Sequence, residues 1–257
     1  MRVFVLDLGC LTAEKDGIVH RPGREDHSRI TLPLPAFLID HPEGKILYDT
    51  GCHPDAMNGW WQDCMVRAYP FLQSPEQRLE NQLALCGVKP DEISAVVLSH
   101  LHLDHTGGLS LFPGKPVYAP KKHLAHAMSR ISHPDRECHS GYILGDLTAP
   151  VEFRPVEGDL TLLPGVELIN LPGHTEDLLG MVLHLKSSVL ILPQDAVYTA
   201  ENYGPPVVPT LSLGAPEQYT PSVERVRRLQ RETGGMVVFG HDAGQFAALK
   251  KAPDWYE

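Results

Sequence analysis

Residues 99–108 read Ser-His-Leu-His-Leu-Asp-His-Thr-Gly-Gly, and few segments limit the chemistry of a chain so strongly. Three imidazoles and one carboxylate fall within six residues: His100, His102, Asp104 and His105. They follow the apolar segment Ala95–Leu98, which predicts a short buried strand. A strand that merely ends in polar surface residues is the alternative, but it leaves the interleaved apolar Leu101 and Leu103 unexplained. Because unpaired imidazoles and carboxylates are costly to bury together, the segment predicts a metal site.

Three residues further along the chain can complete such a site. Each follows an apolar run that predicts a strand and stands beside a glycine or another small residue: His174, Asp195 and His241. Alone, each is a weak indication, but with the central segment they supply enough ligands for two ions. We expect one ion to be bound by His100, His102 and His174, the other by Asp104, His105 and His241, with Asp195 bridging them. Imidazole and carboxylate ligands without thiolate favour Zn²⁺, and Fe, Co and Mn stay open as alternatives.

The rest of the chain consists of short apolar runs separated by Gly and Pro. These runs predict strands at Val3–Leu8, Ala36–Ile39, Ile46–Asp49, Ala95–Leu98, Val117–Ala119, Val166–Leu171, Met181–Leu185, Val189–Leu192 and Met236–Phe239. Helices are predicted from the Ser74-Pro75 start to Gly87 and from Thr220-Pro221 to Gly234. This order predicts two sheets packed face to face with helices outside. Residues Ser129–Pro150 lack clear periodicity, so a lid and an ordinary surface loop are both open.

Charge and cysteine content indicate the setting and exclude some partners. A formal net charge of −10 argues against nucleic acid and anionic membrane surfaces, which need clustered Lys and Arg. The start of the chain does not resemble a signal peptide, and no apolar run reaches membrane-spanning length. The five cysteines form neither a CxxC pair nor a disulfide framework and are interpreted as small buried hydrophobes. A cytoplasmic protein with a small-molecule substrate is therefore expected.

The segment His100–His105, read as His-x-His-x-Asp-His, resembles the metal-binding motif of the metallo-β-lactamase superfamily. The resemblance extends over essentially the whole chain. It implies one hydrolase domain over residues 1–257. It also implies an α/β fold for this domain, an αββα sandwich of two mixed β-sheets flanked by helices. It also implies that Asp49 orients a ligand histidine rather than binding metal. One departure is that Glu176-Asp177-Leu178 follows Gly173-His174-Thr175, where many members carry a second histidine.

Two divalent ions can share a hydroxide and polarise a carbonyl, so the site predicts hydrolysis of an ester, lactone, amide, thioester or phosphodiester. Within the superfamily, segments 38–50 and 195–206 resemble N-acyl-homoserine lactonases, which are quorum-quenching enzymes. This resemblance implies that a hydroxide bridging the ions opens the lactone while Tyr198 stabilises the oxyanion. Asp104 is then expected to carry the proton to the leaving alkoxide. Another lactone, an ester or a phosphotriester as substrate, or a metal-binding scaffold without catalysis, are the alternatives.

An acyl substrate needs an apolar groove, and several aromatic and apolar residues are candidates for it. They are Leu11, Trp60, Trp61, Phe71 and Tyr142. Trp60 and Trp61 are also candidates for the interface of a homodimer. The nine histidines outside the predicted site are interpreted as surface or lid residues without a metal role. They include His123, His126, His133 and His139.

Overall fold

A computed structural model of the chain describes residues 1–132, 141–205, 207–211 and 214–257. Its strands are β1 (Arg2–Glu14), β2 (Arg29–His41), β3 (Gly44–Tyr48), β4 (Phe71–Leu72), β5 (Ile93–Val97), β6 (Pro116–Pro120), β7 (Glu152–Val156), β8 (Leu160–Leu163), β9 (Val166–Asn170), β10 (Leu179–His184), β11 (Val189–Gln194) and β12 (Met236–Phe239). Its α-helices are α1 (Lys15–Ile18), α2 (Asp63–Ala68), α3 (Leu79–Leu85), α4 (Lys121–Ile131), α5 (Leu144–Leu147), α6 (Ala200–Tyr203), α7 (Pro216–Thr233) and α8 (Ala243–Ala248). A π-helical turn covers Ala56–Trp60, and 3₁₀ turns cover Pro75–Gln77, Pro90–Glu92 and Leu109–Leu111.

The strands form two mixed sheets. The first has seven strands in the order β4-β1-β2-β3-β5-β6-β7, and the second has five in the order β12-β11-β10-β9-β8. In the first sheet β3, β5, β6 and β7 are parallel, whereas β1 and β2 are antiparallel. In the second sheet only β11 and β12 pair in parallel. The predicted αββα sandwich is confirmed.

Strand β1 shows how the layers are built. Val3 and Val5 belong to the core between the two sheets, whereas Phe4, Leu6 and Leu8 belong to the core under the helices on the other side. Alternate residues of a strand point to opposite faces, so a strand in the middle of a four-layer structure must be apolar on both faces. This requirement explains the continuous apolar run Val3–Leu6.

Helix α7 covers the outer face of the five-stranded sheet. Its Tyr219, Val223 and Val226 are fully buried against that sheet. The helix begins at Pro216 instead of the predicted Thr220, so that Pro221 lies inside it. Pro216 occupies the first position of the helix, where a proline is favoured, whereas the prediction gave this role to Pro221.

The first predicted helix, from Ser74 to Gly87, is only partly α-helical. Ser74 and Gln77 form a capping box, but it caps a 3₁₀ turn, and α3 starts later at Leu79. The predicted loop Ser129–Pro150 contains the end of α4 and all of α5. Its residues 133–140 lie outside the described residues, so the interpretation as a lid stays a prediction.

Two expectations from composition can be compared with the structure. Cys10, Cys52 and Cys86 are free, but Cys64 is disulfide-bonded, so the interpretation of all five cysteines as unpaired hydrophobes is wrong for Cys64. Cys138 lies outside the described residues. Among the residues that the structure describes, no helix is both long and apolar enough to cross a membrane.

Candidate metal centre

The candidate site lies where strands of both sheets end. In the first sheet, β3 leads directly to Asp49, and the neighbouring parallel strand β5 leads through Leu98 to Ser99. In the second sheet, β11 leads to Asp195, and its parallel neighbour β12 leads through Gly240 to His241. Because parallel strands end at the same edge of a sheet, each pair delivers its polar residues to one place.

All seven side chains of the predicted ligand set lie in one cluster. Their ligand atoms form three groups within which all atoms are at most 4.8 Å apart: His100, His102 and His174; His100, His105 and Asp195; and Asp104, His105 and His241. Five of the seven residues are buried, and His102 and Asp104 are partly buried, with 14% of the Asp104 side chain exposed. The first and third groups match the two triplets that the sequence predicted.

The carboxylate of Asp195 lies between the two triplets. Its Oδ1 is 3.0 Å from Nε2 of His241 and 3.3 Å from Nε2 of His105. Its Oδ2 is 3.4 Å from Nε2 of His174 and 3.7 Å from Nε2 of His100. Each oxygen therefore faces one triplet, which is the placement that a bridging carboxylate requires.

The contacts inside the cluster fit divalent cations. Nε2 of His174 is 2.9 Å from Nδ1 of His102 and 3.1 Å from Nε2 of His100, so ring nitrogens face one another. Nε2 of His105 is buried without a hydrogen bond. Buried polar atoms are normally paired, and a metal ion is the partner that converging nitrogen lone pairs and carboxylate oxygens accept together.

The second nitrogen of four rings is fixed by a partner outside the cluster. Nδ1 of His100 lies 3.0 Å from Ser99 Oγ, and Nδ1 of His105 lies 2.9 Å from Asp49 Oδ2. Nδ1 of His174 lies 2.8 Å from the Tyr198 hydroxyl, and Nδ1 of His241 lies 2.9 Å from the Pro33 carbonyl. An Nδ1–H that donates outward leaves Nε2 unprotonated toward the cluster, as a ligand nitrogen must be. His102 differs, because its Nδ1 faces the cluster.

Asp49 is the centre of this outer layer, as the resemblance implied. Its carboxylate accepts hydrogen bonds from the Ser99 amide at 2.7 Å, the Ser99 hydroxyl at 2.8 Å and Nδ1 of His105. Sequence reasoning missed a further donor, the side-chain amide of Gln194 at 2.5 Å. Asp49 and Gln194 both have left-handed backbones, with φ of 62° and 48°. Such conformations are strained for residues other than glycine and are typical of functional positions.

Burial and charge act in opposite directions within the cluster. Burial lowers the pKa of His102 to about 4 and that of His174 to about 3, which keeps both rings neutral. Burial also opposes a charged His105, but the carboxylates of Asp104, Asp49 and Asp195 raise its pKa well above the ordinary value. The carboxylates therefore favour positive charge at the cluster, and a bound cation supplies that charge while it displaces protons.

An open cavity of about 380 Å³ adjoins the cluster. The polar residues that line its inner end are His102, Asp104, His174, Asp195, Tyr198 and His241. The rest of the lining consists of Tyr69, Gly141 and the apolar residues Leu11, Ile18, Leu32, Met65, Ala68, Leu103 and Leu211. Of the residues predicted for an acyl groove, Leu11 lines the cavity, whereas Trp61 and Phe71 are buried in the core and do not line it. Trp60, which stacks on His53, and Tyr142, which stacks on His102, do not line it either.

The sequence matches the family model of the metallo-beta-lactamase superfamily over residues 31–241, which is most of the chain. The chain belongs to the metallo-β-lactamase superfamily. The fold and the His-x-His-x-Asp-His segment described above agree with this membership. The protein is a hydrolase of the metallo-β-lactamase fold.

Relatives of this superfamily member extend the comparison. The N-acyl homoserine lactonase AiiB of Agrobacterium fabrum is 35% identical, over 99% of this chain and 98% of that protein. A solved N-acyl homoserine lactone hydrolase with N-hexanoyl-L-homoserine at its catalytic metal centre has a TM-score of 0.87, at 24% identity and covering 99% and 98% of the chains. The dizinc quorum-quenching lactonase AidC has a TM-score of 0.69, at 18% identity and covering 94% and 87%.

His123 is a positioning residue that sequence reasoning placed wrongly at the surface or in a lid. Its side chain is fully buried, and Nδ1 accepts a hydrogen bond of 3.2 Å from the Leu101 amide between two candidate ligands. Its Nε2 is 2.8 Å from the hydroxyl of Tyr142, whose ring stacks on His102. Asp177, near the site of the missing second family histidine, accepts the His123 amide and so fixes the start of α4. His133 and His139 lie outside the described residues.

The variant His123→Leu is expected to weaken metal binding by about 10- to 100-fold, because an outer partner of the ligand loop is lost. It should also lower the free energy of unfolding by about 1–3 kcal/mol, since the buried Leu101 amide loses its acceptor. His123→Asn keeps an acceptor near Nδ1 and should recover most of both losses. Competition with a chromogenic chelator and urea unfolding measure the two effects. Equal losses in both variants would contradict the role of the Leu101 contact.

Asp146 is a second buried group that no motif indicated. Its carboxyl accepts hydrogen bonds from Nε1 of Trp60 at 2.7 Å and from the hydroxyl of Thr106 at 3.2 Å. Burial raises its pKa to about 7, although both hydrogen bonds oppose the shift. Trp60 is thereby held against the loop that carries the candidate ligands.

Since only Trp60 of the Trp60–Trp61 pair is exposed, the pair is not the exposed apolar patch that a homodimer interface was predicted to use.

The pKa of Asp146 is about 7 in the folded protein and near 4 in the unfolded chain. The stability that the protonated carboxyl contributes is fully present below about pH 4 and is lost as the pH rises through about 7. Three pKa units correspond to roughly 4 kcal/mol. Asp146→Asn keeps both contacts without the charge, so its free energy of unfolding relative to wild type should be higher at pH 8 than at pH 5. Urea unfolding at both values measures this, and comparison of the two proteins cancels the titration of the other groups. A difference independent of pH would contradict the assignment.

Proposed function

We propose that this chain opens the lactone ring of N-acyl-homoserine lactones, as one hydrolase domain over residues 1–257 with two divalent ions, of which Zn²⁺ is favoured. The observation that carries the proposal is the position of Asp195, whose two oxygens face two separate triplets of ligand-type residues. The similarity to AiiB over almost the full length of both chains supports the choice of substrate.

The residues that would hold the ions follow from the triplets. His100, His102 and His174 would hold one ion, Asp104, His105 and His241 the other, and Asp195 would contact both. When bound, such ions lower the pKa of water to about 7 and polarise a carbonyl oxygen, which makes hydrolysis feasible at neutral pH.

Tyr198 is suited to donate a hydrogen bond to the substrate carbonyl. Its oxygen is 2.8 Å from Nδ1 of His174 and accepts a hydrogen bond from Nδ1–H when Nε2 of His174 serves as a ligand. The phenolic hydrogen is then free to point into the cavity that Tyr198 lines. Burial raises the pKa of Tyr198 well above its ordinary value, so the phenol stays protonated. A neutral donor of this kind stabilises the negative charge that develops on the carbonyl oxygen.

Asp104 is placed to move a proton to the leaving alkoxide. It lines the cavity, and its two oxygens are 3.7 Å from Nε2 of His105 and 3.9 Å from Nε2 of His241. Among the candidate carboxylates it is the more exposed, at 14% against 5% for Asp195. A carboxylate that contacts both the site and the cavity can take a proton from water and pass it to the ring oxygen.

The shape and polarity of the cavity favour an acylated lactone over a small one. A polar inner end suits the lactone, and the apolar walls beyond it suit a hydrocarbon chain. Hydrolysis of another lactone, an ester or a phosphotriester would use the same residues and is the second candidate.

Acid release should be followed with N-butanoyl-, N-hexanoyl- and N-decanoyl-homoserine lactone, a γ-lactone without the amide, and a diethyl aryl phosphate. The protein is assayed after chelation and after reloading with Zn²⁺, Fe²⁺, Co²⁺ or Mn²⁺. We expect turnover only with metal, and the highest kcat/KM for an acyl-homoserine lactone. A higher kcat/KM for the other substrates would favour the second candidate, and no turnover in any metal state would identify a scaffold.

A further inference from the structure

One polar side chain interrupts the apolar part of the cavity wall. Beyond the cluster and Tyr198, the described lining side chains are apolar except for that of Tyr69. Its hydroxyl makes no hydrogen bond with any described residue, and it is not enclosed in the core, because the residue is only half-buried. A polar group that a cavity presents without a partner is available to a ligand.

The backbone around Tyr69 is held firmly. The guanidinium of Arg29 donates to the carbonyl of Ala68 at 2.7 Å and to that of Thr12 at 2.6 Å, which ties the end of α2 to β1. The Tyr69 amide donates to Met65 at 2.8 Å, and the next carbonyl, of Pro70, accepts from the Thr12 amide at 3.0 Å. The backbone that carries Tyr69 is therefore already ordered and needs no further ordering when the side chain binds a ligand.

Tyr69 lines the same cavity as the candidate ligands Asp104 and His174. Tyr198 and Tyr69 are the two tyrosines among the described lining residues; Tyr198 contacts His174, and Tyr69 directly follows α2. A phenol is a neutral hydrogen-bond donor at neutral pH. In an N-acyl-homoserine lactone, the amide is attached to the ring carbon beside the lactone carbonyl. The substrate therefore carries two neighbouring polar groups, the lactone carbonyl and the acyl amide.

We infer that Tyr69 is a specificity-determining residue whose hydroxyl donates a hydrogen bond to the acyl-amide carbonyl of the substrate. The inference rests on the proposed function. It explains why an otherwise apolar wall carries one hydroxyl, and it distinguishes acyl-homoserine lactones from lactones without the amide. Because the amide is not at the reacting carbonyl, its binding should be similar in the ground and transition states and should appear mainly in KM.

The test compares Tyr69→Phe with wild type on N-hexanoyl-homoserine lactone and on a γ-lactone with an alkyl chain but no amide. The ratio of the two kcat/KM values should fall by about three- to tenfold, the range for one neutral hydrogen bond. The loss should come from a higher KM for the acyl-homoserine lactone. Tyr118→Phe, a tyrosine of β6 outside the cavity, is the matched control and should keep the wild-type ratio.

An unchanged ratio in Tyr69→Phe, with wild type active on the acyl-homoserine lactone, would overturn the assignment of Tyr69 alone. So would a fall in kcat of equal size for both lactones, because the hydroxyl would then act at the reacting carbonyl. Wild-type protein inactive on every acyl-homoserine lactone would overturn the proposed function and this inference with it.

Discussion

Replacing Asp195 by asparagine is expected to reduce bound metal below two ions per chain and to lower kcat/KM by about 150- to 5000-fold. The carboxylate faces Nε2 atoms of four histidines within 3.7 Å, two at each oxygen, so it connects the two triplets. Breaking a buried charge network typically costs about 3–5 kcal/mol, which corresponds to this range. Metal analysis of the dialysed protein and steady-state kinetics measure the two effects.

The matched control for Asp195→Asn is Asp91→Asn, which changes an exposed aspartate in the 3₁₀ turn before β5. It should retain both ions and wild-type kinetics. If Asp195→Asn also binds two ions and keeps the wild-type rate, the carboxylate does not connect two metal positions. That outcome would remove the observation on which the proposed function depends.

Tyr198→Phe is expected to lower kcat by on the order of 100-fold at saturating metal, the effect of losing one donor to a developing oxyanion. A second, smaller effect should accompany it. Nδ1 of His174 loses its acceptor, so metal affinity should fall by about tenfold. Kinetics at increasing metal concentration separate the two effects, because excess metal restores only the second.

Tyr203→Phe is the control for this substitution, because that tyrosine bonds to Gln230 on α7 and does not line the cavity. Its kcat should match that of wild type. A Tyr198→Phe protein whose kcat recovers fully with excess metal would contradict the role in oxyanion stabilisation. The hydroxyl would then serve only to orient His174.

The fold and the ligand set could be predicted from sequence because local rules determine both. Alternate residues of a strand face opposite sides, so a strand buried on both faces is a continuous apolar run in the sequence. Ligand-type side chains follow these runs at the positions where the strands end. His174, Asp195 and His241 were found in this way, because each directly follows an apolar run. The resemblance implied that Asp49 orients one of the candidate ligand histidines, and in the structure its carboxylate contacts His105.

The outer layer of the site could not be predicted, since its contacts join residues distant in sequence. His123 bonds to Leu101 across 22 positions, and Gln194 bonds to Asp49 across 145. A histidine within an amphipathic helix and a glutamine at a strand end carry no local sign of such partners. The cavity wall was misjudged for a related reason. The sequence predicted mainly aromatic residues for an acyl groove, but Trp61 and Phe71 are buried in the core, and mostly aliphatic residues line the cavity.

The most direct test of the proposed function is to identify the product formed from N-hexanoyl-homoserine lactone in water labelled with oxygen-18. Mass spectrometry with fragmentation locates the label in the product of the metal-loaded protein. We expect N-hexanoyl-homoserine with one labelled oxygen in its carboxylate, since attack at the lactone carbonyl places the new oxygen there. Labelled hexanoate with an intact homoserine lactone, a label in the hydroxyl, or unchanged substrate would contradict the proposed function.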